Sequence, residues 1–179
     1  MSETKALKGG EMDPRFKYEI SKIHGAERVM LCFQCGTCTA DCPIAKYSGF
    51  YKPRRIARMV QFGLKDRLLS DNHLWLCSTC YACIDHCPQD VEVASIVRVL
   101  RNMVVKERNE MPMVSKGLAT SLLKTGYIYT IPESRLKRRV EQHLPLLPKA
   151  NLESISKIFD AVGFKEILDN AKTFERVEK

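Results

Sequence analysis

The chain has 179 residues, 45% of them hydrophobic and 28% charged, with 29 Lys and Arg against 21 Asp and Glu and a formal net charge of +8. That length suits one domain, or one domain with an appended segment, and is enough to bury a core. No apolar run approaches the roughly 20 residues that cross a bilayer, the polar start Met1 to Glu11 lacks the apolar centre of a secretory leader, and no recognised nucleic-acid module accompanies the positive charge.

Taken in order, the polar, glycine-containing start predicts a flexible N-terminus over residues 1–12. A first helix is predicted with Asp13 as N-cap, Pro14 in the first turn, Phe16, Ile20 and Ile23 on one face and Gly25 near its end. Its expected task is to cover the loop that follows, Cys32-Phe33-Gln34-Cys35-Gly36-Thr37-Cys38-Thr39-Ala40-Asp41-Cys42-Pro43. Pro53 then opens a segment in which Ile56, Met59, Val60 and Leu64 keep helical spacing, with Gly63 near its stop. A second helical piece is predicted from Asp66 to Leu76, with Leu68, Leu69, Leu74, Trp75 and Leu76 as apolar cover. The cysteine pattern returns as Cys77-Ser78-Thr79-Cys80-Tyr81-Ala82-Cys83-Ile84-Asp85-His86-Cys87-Pro88. Beyond it, Asp90 is the predicted cap of the clearest helix in the chain. Val93, Ile96, Val97, Leu100, Met103 and Val104 form its core face, and Arg98, Arg101, Lys106 and Arg108 lie elsewhere on the wheel. It should run to about Arg108, and Met111-Pro112 breaks it.

From Val114 onward no chemical motif is visible. Leu118, Leu122 and Leu123 predict a short helix ended by Gly126, Tyr127 to Ile131 reads as extended, Pro132 to Leu144 as a basic helix, Pro145 to Pro148 as a linker, and Asn151 to Val162 as a capped amphipathic helix. These pieces are too apolar for a solvated tail, and docking on a partner is the expectation. Two basic groups, Lys52, Arg54, Arg55 and Arg58, then Arg135, Lys137, Arg138 and Arg139, are either solvated helix faces or steering patches for an acidic partner protein.

The two cysteine stretches hold all eight cysteines of the chain. Both read C-x2-C-x2-C-x3-C-P, the run of bacterial-type [4Fe–4S] proteins, in which the fourth cysteine serves the other cluster. Three thiolates on a short loop wrap one side of a cubane, and the fourth must come from elsewhere. Crossing assigns Cys32, Cys35, Cys38 and Cys87 to one cluster and Cys77, Cys80, Cys83 and Cys42 to the other. Pro43 and Pro88 turn the chain away after each fourth ligand. Gly36 is expected to let backbone approach inorganic sulfide, although Tyr81 stands at the matching place. Two oxidised clusters would lower the formal charge to about +4.

Structural zinc also uses C-x2-C pairs, but each motif here has a third cysteine in step and a closing Cys-Pro. A disulfide framework belongs to short secreted chains; free thiolates that meet iron imply a soluble protein in a reducing compartment. His86 falls inside a motif already complete in cysteine and is not expected to ligate. With no phosphate loop, dinucleotide fingerprint or triad, and no ninth cysteine, the residues imply an electron relay with no catalytic residues of its own.

Gln34-Cys35-Gly36-Thr37-Cys38-Thr39, Lys52-Pro53-Arg54-Arg55-Ile56, Gly63-Leu64 and Leu74-Trp75-Leu76-Cys77-Ser78-Thr79-Cys80-Tyr81-Ala82-Cys83 together resemble the C subunit of heterodisulfide reductase, over about residues 28 to 108. The resemblance implies a mainly α, α-helical ferredoxin-like domain binding two [4Fe–4S] clusters over residues 13–110, with a helical C-terminal extension over 111–179. It also implies a non-catalytic component of an oxidoreductase complex in the cytoplasm of methanogenic archaea. That component would pass electrons from a flavin- and cluster-bearing A-type subunit to a catalytic B-type subunit that reduces the coenzyme M–coenzyme B heterodisulfide, with a hydrogenase or formate dehydrogenase in a larger assembly. The other readings are the iron–sulfur subunit of a related disulfide reductase or of a succinate- or glycolate-type flavin dehydrogenase, and a zinc-stabilised interaction module.

Overall fold

Phe16 and Ile20 are fully buried on one face of a short helix, α1 (Phe16–Ser21), while Ile23, expected on that face, is 38% exposed beyond its end. The computed structural model describes residues 7–175 and divides into two units, one ending at Arg108 and one beginning at Asn109. Of the stretch expected to be flexible, residues 1–6 lie outside the described residues. Gly9–Glu11 forms a 3-10 turn, and Glu11 accepts from Arg67 Nε at 2.7 Å.

The first unit is helical throughout. After α1 come a 3-10 turn (Glu27–Leu31), α2 (Thr37–Ala40), α3 (Pro43–Tyr47), α4 (Pro53–Gln61), α5 (Lys65–Leu69), a second 3-10 turn (Asn72–Leu76), α6 (Ala82–Asp85) and α7 (Val93–Met103), which continues as a π-helical turn over Val104–Arg108. Helix α4 starts at Pro53, whose missing N–H costs nothing at the first helical position, buries Ile56, Ala57, Met59 and Val60, and packs on α7 and α1. Its own cap residue, Lys52, supplies no side-chain acceptor; Thr39 Oγ1 on α2 accepts from the Arg54 N–H at 3.0 Å instead. The helix is thereby tied to the first cysteine loop.

Gly63 stops α4 in the left-handed conformation (φ 71°), and Asp13 N–H donates to its carbonyl at 2.9 Å. A Cβ there would lie 1.9 Å from the Asp13 carbonyl oxygen, so both the conformation and the space require glycine. The single helical piece predicted over 66–76 is two elements, because Asp71 takes the chain out of α5 and caps the second 3-10 turn by accepting from His73 N–H at 2.9 Å. Asp90 is likewise not the cap of α7. It is left-handed (φ 50°) and pairs with Arg28 at 3.2 Å, and Glu92 precedes the helix. Helix α7 is buried on most of its circumference, Ala94, Ser95 and Val99 included, which is why an amphipathic reading of it is too narrow.

In the second unit, β1 (Glu110–Pro112) and β2 (Lys172–Phe174) pair in parallel, joining the start of the unit to its end. Between them lie α8 (Met113–Thr125), α9 (Glu133–Glu141), α10 (Leu152–Ala161) and α11 (Phe164–Asn170). Gly126 ends α8 in the left-handed conformation, and Asn151 Oδ1 caps α10 by accepting from Ser154 N–H at 3.0 Å. Residues 127–129 bend and none of 127–131 forms a strand, with Ser121 Oγ donating to the Tyr127 carbonyl. The strands and α11 escape a periodicity reading because each is short, and a two-strand parallel ladder between distant segments has no local signature. The expected extension also covers residues 176–179, which lie outside the described residues. No helix of the described residues is long and apolar enough to cross a membrane.

Candidate metal centre

Both cysteine loops use the same backbone device. Gln34 (φ 65°) and Gly36 (φ 93°) are left-handed in the first, and Thr79 (φ 56°) and Tyr81 (φ 64°) take the matching places in the second. The left-handed residue after the second cysteine turns the chain into a single helical turn, α2 carrying Cys38 and α6 carrying Cys83. Gly36 supplies this conformation, and among protein atoms a Cβ there would meet Arg54 at ordinary distances of 3.5 and 3.7 Å. Tyr81 holds the same conformation at a cost of roughly 1–2 kcal/mol.

Packing of α2 on α6 brings the loops together. Cys42 lines one small cavity, partly open to solvent, with Cys77, Cys80 and Cys83, and Ile44, Tyr51 and Ala94 are among the other residues of its wall. The thiols whose charge bears on Cys38 are Cys32, Cys35 and Cys87. Those bearing on Cys83 are Cys77, Cys38 and Cys42. Cys42 thus shares a cavity with the first three cysteines of the second motif, Cys87 acts electrostatically on Cys38 of the first, and Cys38 acts on Cys83. Next to the fourth cysteines, His86 Nδ1 and Asp41 Oδ2 pair at 3.1 Å, a second link between the motifs. No three His, Cys, Asp or Glu side chains among the described residues converge on a single ion.

Cys38, Cys42 and Cys83 are buried, while Cys35 and Cys80 are exposed. Burial pushes the Cys38 and Cys83 thiols up to about 11, so their thiolates call for a compensating cation, which iron supplies. Cys35 is held below the usual thiol range by the Thr37 hydroxyl. Gln34 Nε2 donates to Cys32 Sγ at 3.3 Å and the Val91 N–H to Cys87 Sγ at 3.2 Å. Sulfurs that accept hydrogen bonds around a partly desolvated space fit an iron–sulfur cluster.

Three residues outside the motifs complete the site. Gln61, at the end of α4, donates through Nε2 to the carbonyls of Val29 (3.2 Å) and Cys32 (2.9 Å). Arg101, on α7, donates to the carbonyls of Leu74 (3.0 and 2.8 Å) and Cys77 (2.6 Å) and lies over Trp75. Tyr51 is buried with its hydroxyl on Cys77; desolvation first, and that hydrogen bond second, hold its ionisation well above the usual range. The apolar pattern places Arg101 only off the core face of α7, and its spacing carries the signal, since it shares a stripe of α7 with the buried Ala94 and Val97. Gln61 and Tyr51 carry no such signal.

Beside the first loop, Gln34, Lys52, Arg54, Arg55, Arg58 and Phe62 line an open cleft. None of its four cations pairs with a carboxylate among the described residues. Arg58 stacks on Phe62, and Phe33, between the first two cysteines, is 59% exposed.

A helical unit that brings two four-cysteine loops together defines an iron–sulfur protein of the α-helical ferredoxin-like class, and a family model described as a 4Fe-4S dicluster domain matches residues 28–91. The chain is 34% identical to the C subunit of the H(2):CoB-CoM heterodisulfide,ferredoxin reductase of Methanothermobacter thermautotrophicus over 172 residues, 93% of this chain and 91% of that one. It is 33% identical to the C subunit of the ferredoxin/F(420)H(2)-dependent CoB-CoM heterodisulfide reductase of Methanosarcina acetivorans over 90% of this chain and 98% of that one. Against the iron-sulfur C subunit of the CoB–CoM heterodisulfide reductase of Methanopyrus kandleri it is 29% identical over 88% of each. The chain belongs to the family of heterodisulfide reductase C subunits, components of a multi-subunit oxidoreductase.

Proposed function

We propose that the chain is the electron-relay subunit of a cytoplasmic heterodisulfide reductase and holds two [4Fe–4S] clusters, one on Cys32, Cys35, Cys38 and Cys87 and the other on Cys77, Cys80, Cys83 and Cys42. The observation that carries this reading is Cys42 lining the same cavity as Cys77, Cys80 and Cys83. Bound there, a cluster supplies a one-electron acceptor and donor. The chain's own residues bring the two groups into contact at Cys38 and Cys83, wall the second group with Ile44, Tyr51 and Ala94, and donate hydrogen bonds to sulfur of the first from Gln34 and Val91.

Electrons would enter from a flavin-bearing A-type subunit and leave to a B-type subunit, where the disulfide linking coenzyme M and coenzyme B takes two electrons and two protons to give two thiols. Residues 13–110 form the relay domain and 111–179 a docking extension in this reading; Val114, Ile128, Tyr129, Val140, Leu146 and Ile158 are more than half exposed there. The basic cleft beside the first loop suits an acidic surface of one of these partners.

The test is iron and acid-labile sulfide per chain on anaerobically purified protein, with EPR after dithionite reduction. About eight of each, with the broadened signal of two interacting centres, is the expected result. Zinc without iron, or half that iron, overturns the reading.

A further inference from the structure

The two carbonyl clamps occupy equivalent places and differ in charge. Gln61 holds the first cysteine of motif one, Cys32, and the residue three before it, Val29; Arg101 holds Cys77 and Leu74, the matching residues of motif two. Each clamp reaches from the long helix that follows its own motif, across the 3-10 turn that leads into the loop. The guanidinium is half-buried and has no carboxylate partner among the described residues. Burial lowers its proton affinity, yet an arginine stays protonated at any working pH. The second site thus carries a fixed, partly desolvated positive charge at a point where the first carries a neutral amide.

We infer that Arg101 positions the second cysteine loop and sets the reduction potential of the centre on Cys77, Cys80, Cys83 and Cys42, and that Gln61 is its neutral counterpart, so that this exchange makes the two centres electronically unequal. Adding an electron to a thiolate-ligated cluster increases its negative charge, and a cation held on the backbone of one of its cysteines in a medium of lowered dielectric favours the reduced form. The guanidinium is held in place, because Nε and one terminal nitrogen donate to two backbone carbonyls and its face rests on Trp75, 5.3 Å from the ring centre.

The inference rests on the two-cluster reading, and the experiment separates them. EPR-monitored redox titration of the full chain, with iron measured on the same samples, compares wild type with Arg101→Gln, Arg101→Lys and Gln61→Arg. Arg101→Gln is expected to lower one of two midpoint potentials and spare the other, Arg101→Lys to retain most of the potential, and Gln61→Arg to raise the step that Arg101→Gln spares. An unmoved potential in Arg101→Gln, an equal shift of both steps, or the same step moved by both substitutions overturns the inference while about eight irons per wild-type chain keep the relay reading intact. Wild type without that iron ends both. Should Arg101→Gln lose iron, Gln61→Arg decides, since an unmoved potential there overturns the inference.

Discussion

Cys42 and Cys87 are the residues on which the proposed crossed ligation turns, because Cys42 shares a cavity with Cys77, Cys80 and Cys83 and Cys87 acts on Cys38. Cys42→Ser is expected to damage the centre on Cys77, Cys80 and Cys83, and Cys87→Ser the one on Cys32, Cys35 and Cys38. EPR of each reduced variant should therefore lose opposite signals, and loss of the same signal from both would refute crossed ligation. Gly63 is a second such residue, for packing. Gly63→Ala must adopt a left-handed backbone, at about 1–2 kcal/mol, and displace the Asp13 carbonyl, at about 1–3 kcal/mol more. A drop of at least about 5 °C in Tm is expected on the iron-loaded protein, and an unchanged Tm would mean that the Asp13–Gly63 contact is not formed. Gly63 could be read from the chain as a helix stop; the carbonyl that excludes its side chain belongs to Asp13, far away in sequence and outside any local pattern.

At the scale of elements, α4 and α7 are the supports of the site, one carrying Gln61 and the other Arg101. Their apolar spacing was readable because a helix long enough to bury a face must repeat that face. The one-turn helices α2 and α6 were not, since so short a helix contains no period, and they depend on the left-handed residues before them. Thr39 gives a test of how α4 is anchored. Thr39→Val removes the acceptor for the Arg54 N–H and should cost about 0.5–2 kcal/mol, the usual worth of a helix cap. Chemical denaturation of the loaded protein measures it, and a loss well below that range would show that the α4 start is held some other way. In the core of α7, Leu100 is fully buried, so Leu100→Ala should cost about 2–5 kcal/mol by the same measurement.

For the whole molecule, the centres and the fold of the first unit are one system. Few residues lie between the cysteine loops and the core, and Cys38, Cys42 and Cys83 are themselves part of that core. Metal binding and folding energy are coupled in such a unit. Removing iron with a chelator is expected to take much of the far-UV helical signal with it; a full signal after complete iron loss would show that the core stands alone. The basic cleft makes a separate expectation for assembly. Reversing Arg54 and Arg55 to glutamate should weaken association with the partner proteins at low salt, and the difference from wild type should shrink as ionic strength rises. Pull-down across a salt series reads both.

The chain by itself determined what is carried by covalent spacing: three cysteines per loop with a closing Cys-Pro, helices with a repeating apolar face, and glycines where those helices stop. Tertiary structure decided which distant groups share a space. Arg101 reaches the carbonyl of Cys77 and Gln61 that of Cys32, 24 and 29 residues away, and Tyr51 meets a thiol of the second loop. Those contacts depend on how α4 and α7 pack, and packing leaves no period in the sequence, because a hydrogen bond between distant segments constrains neither residue's neighbours.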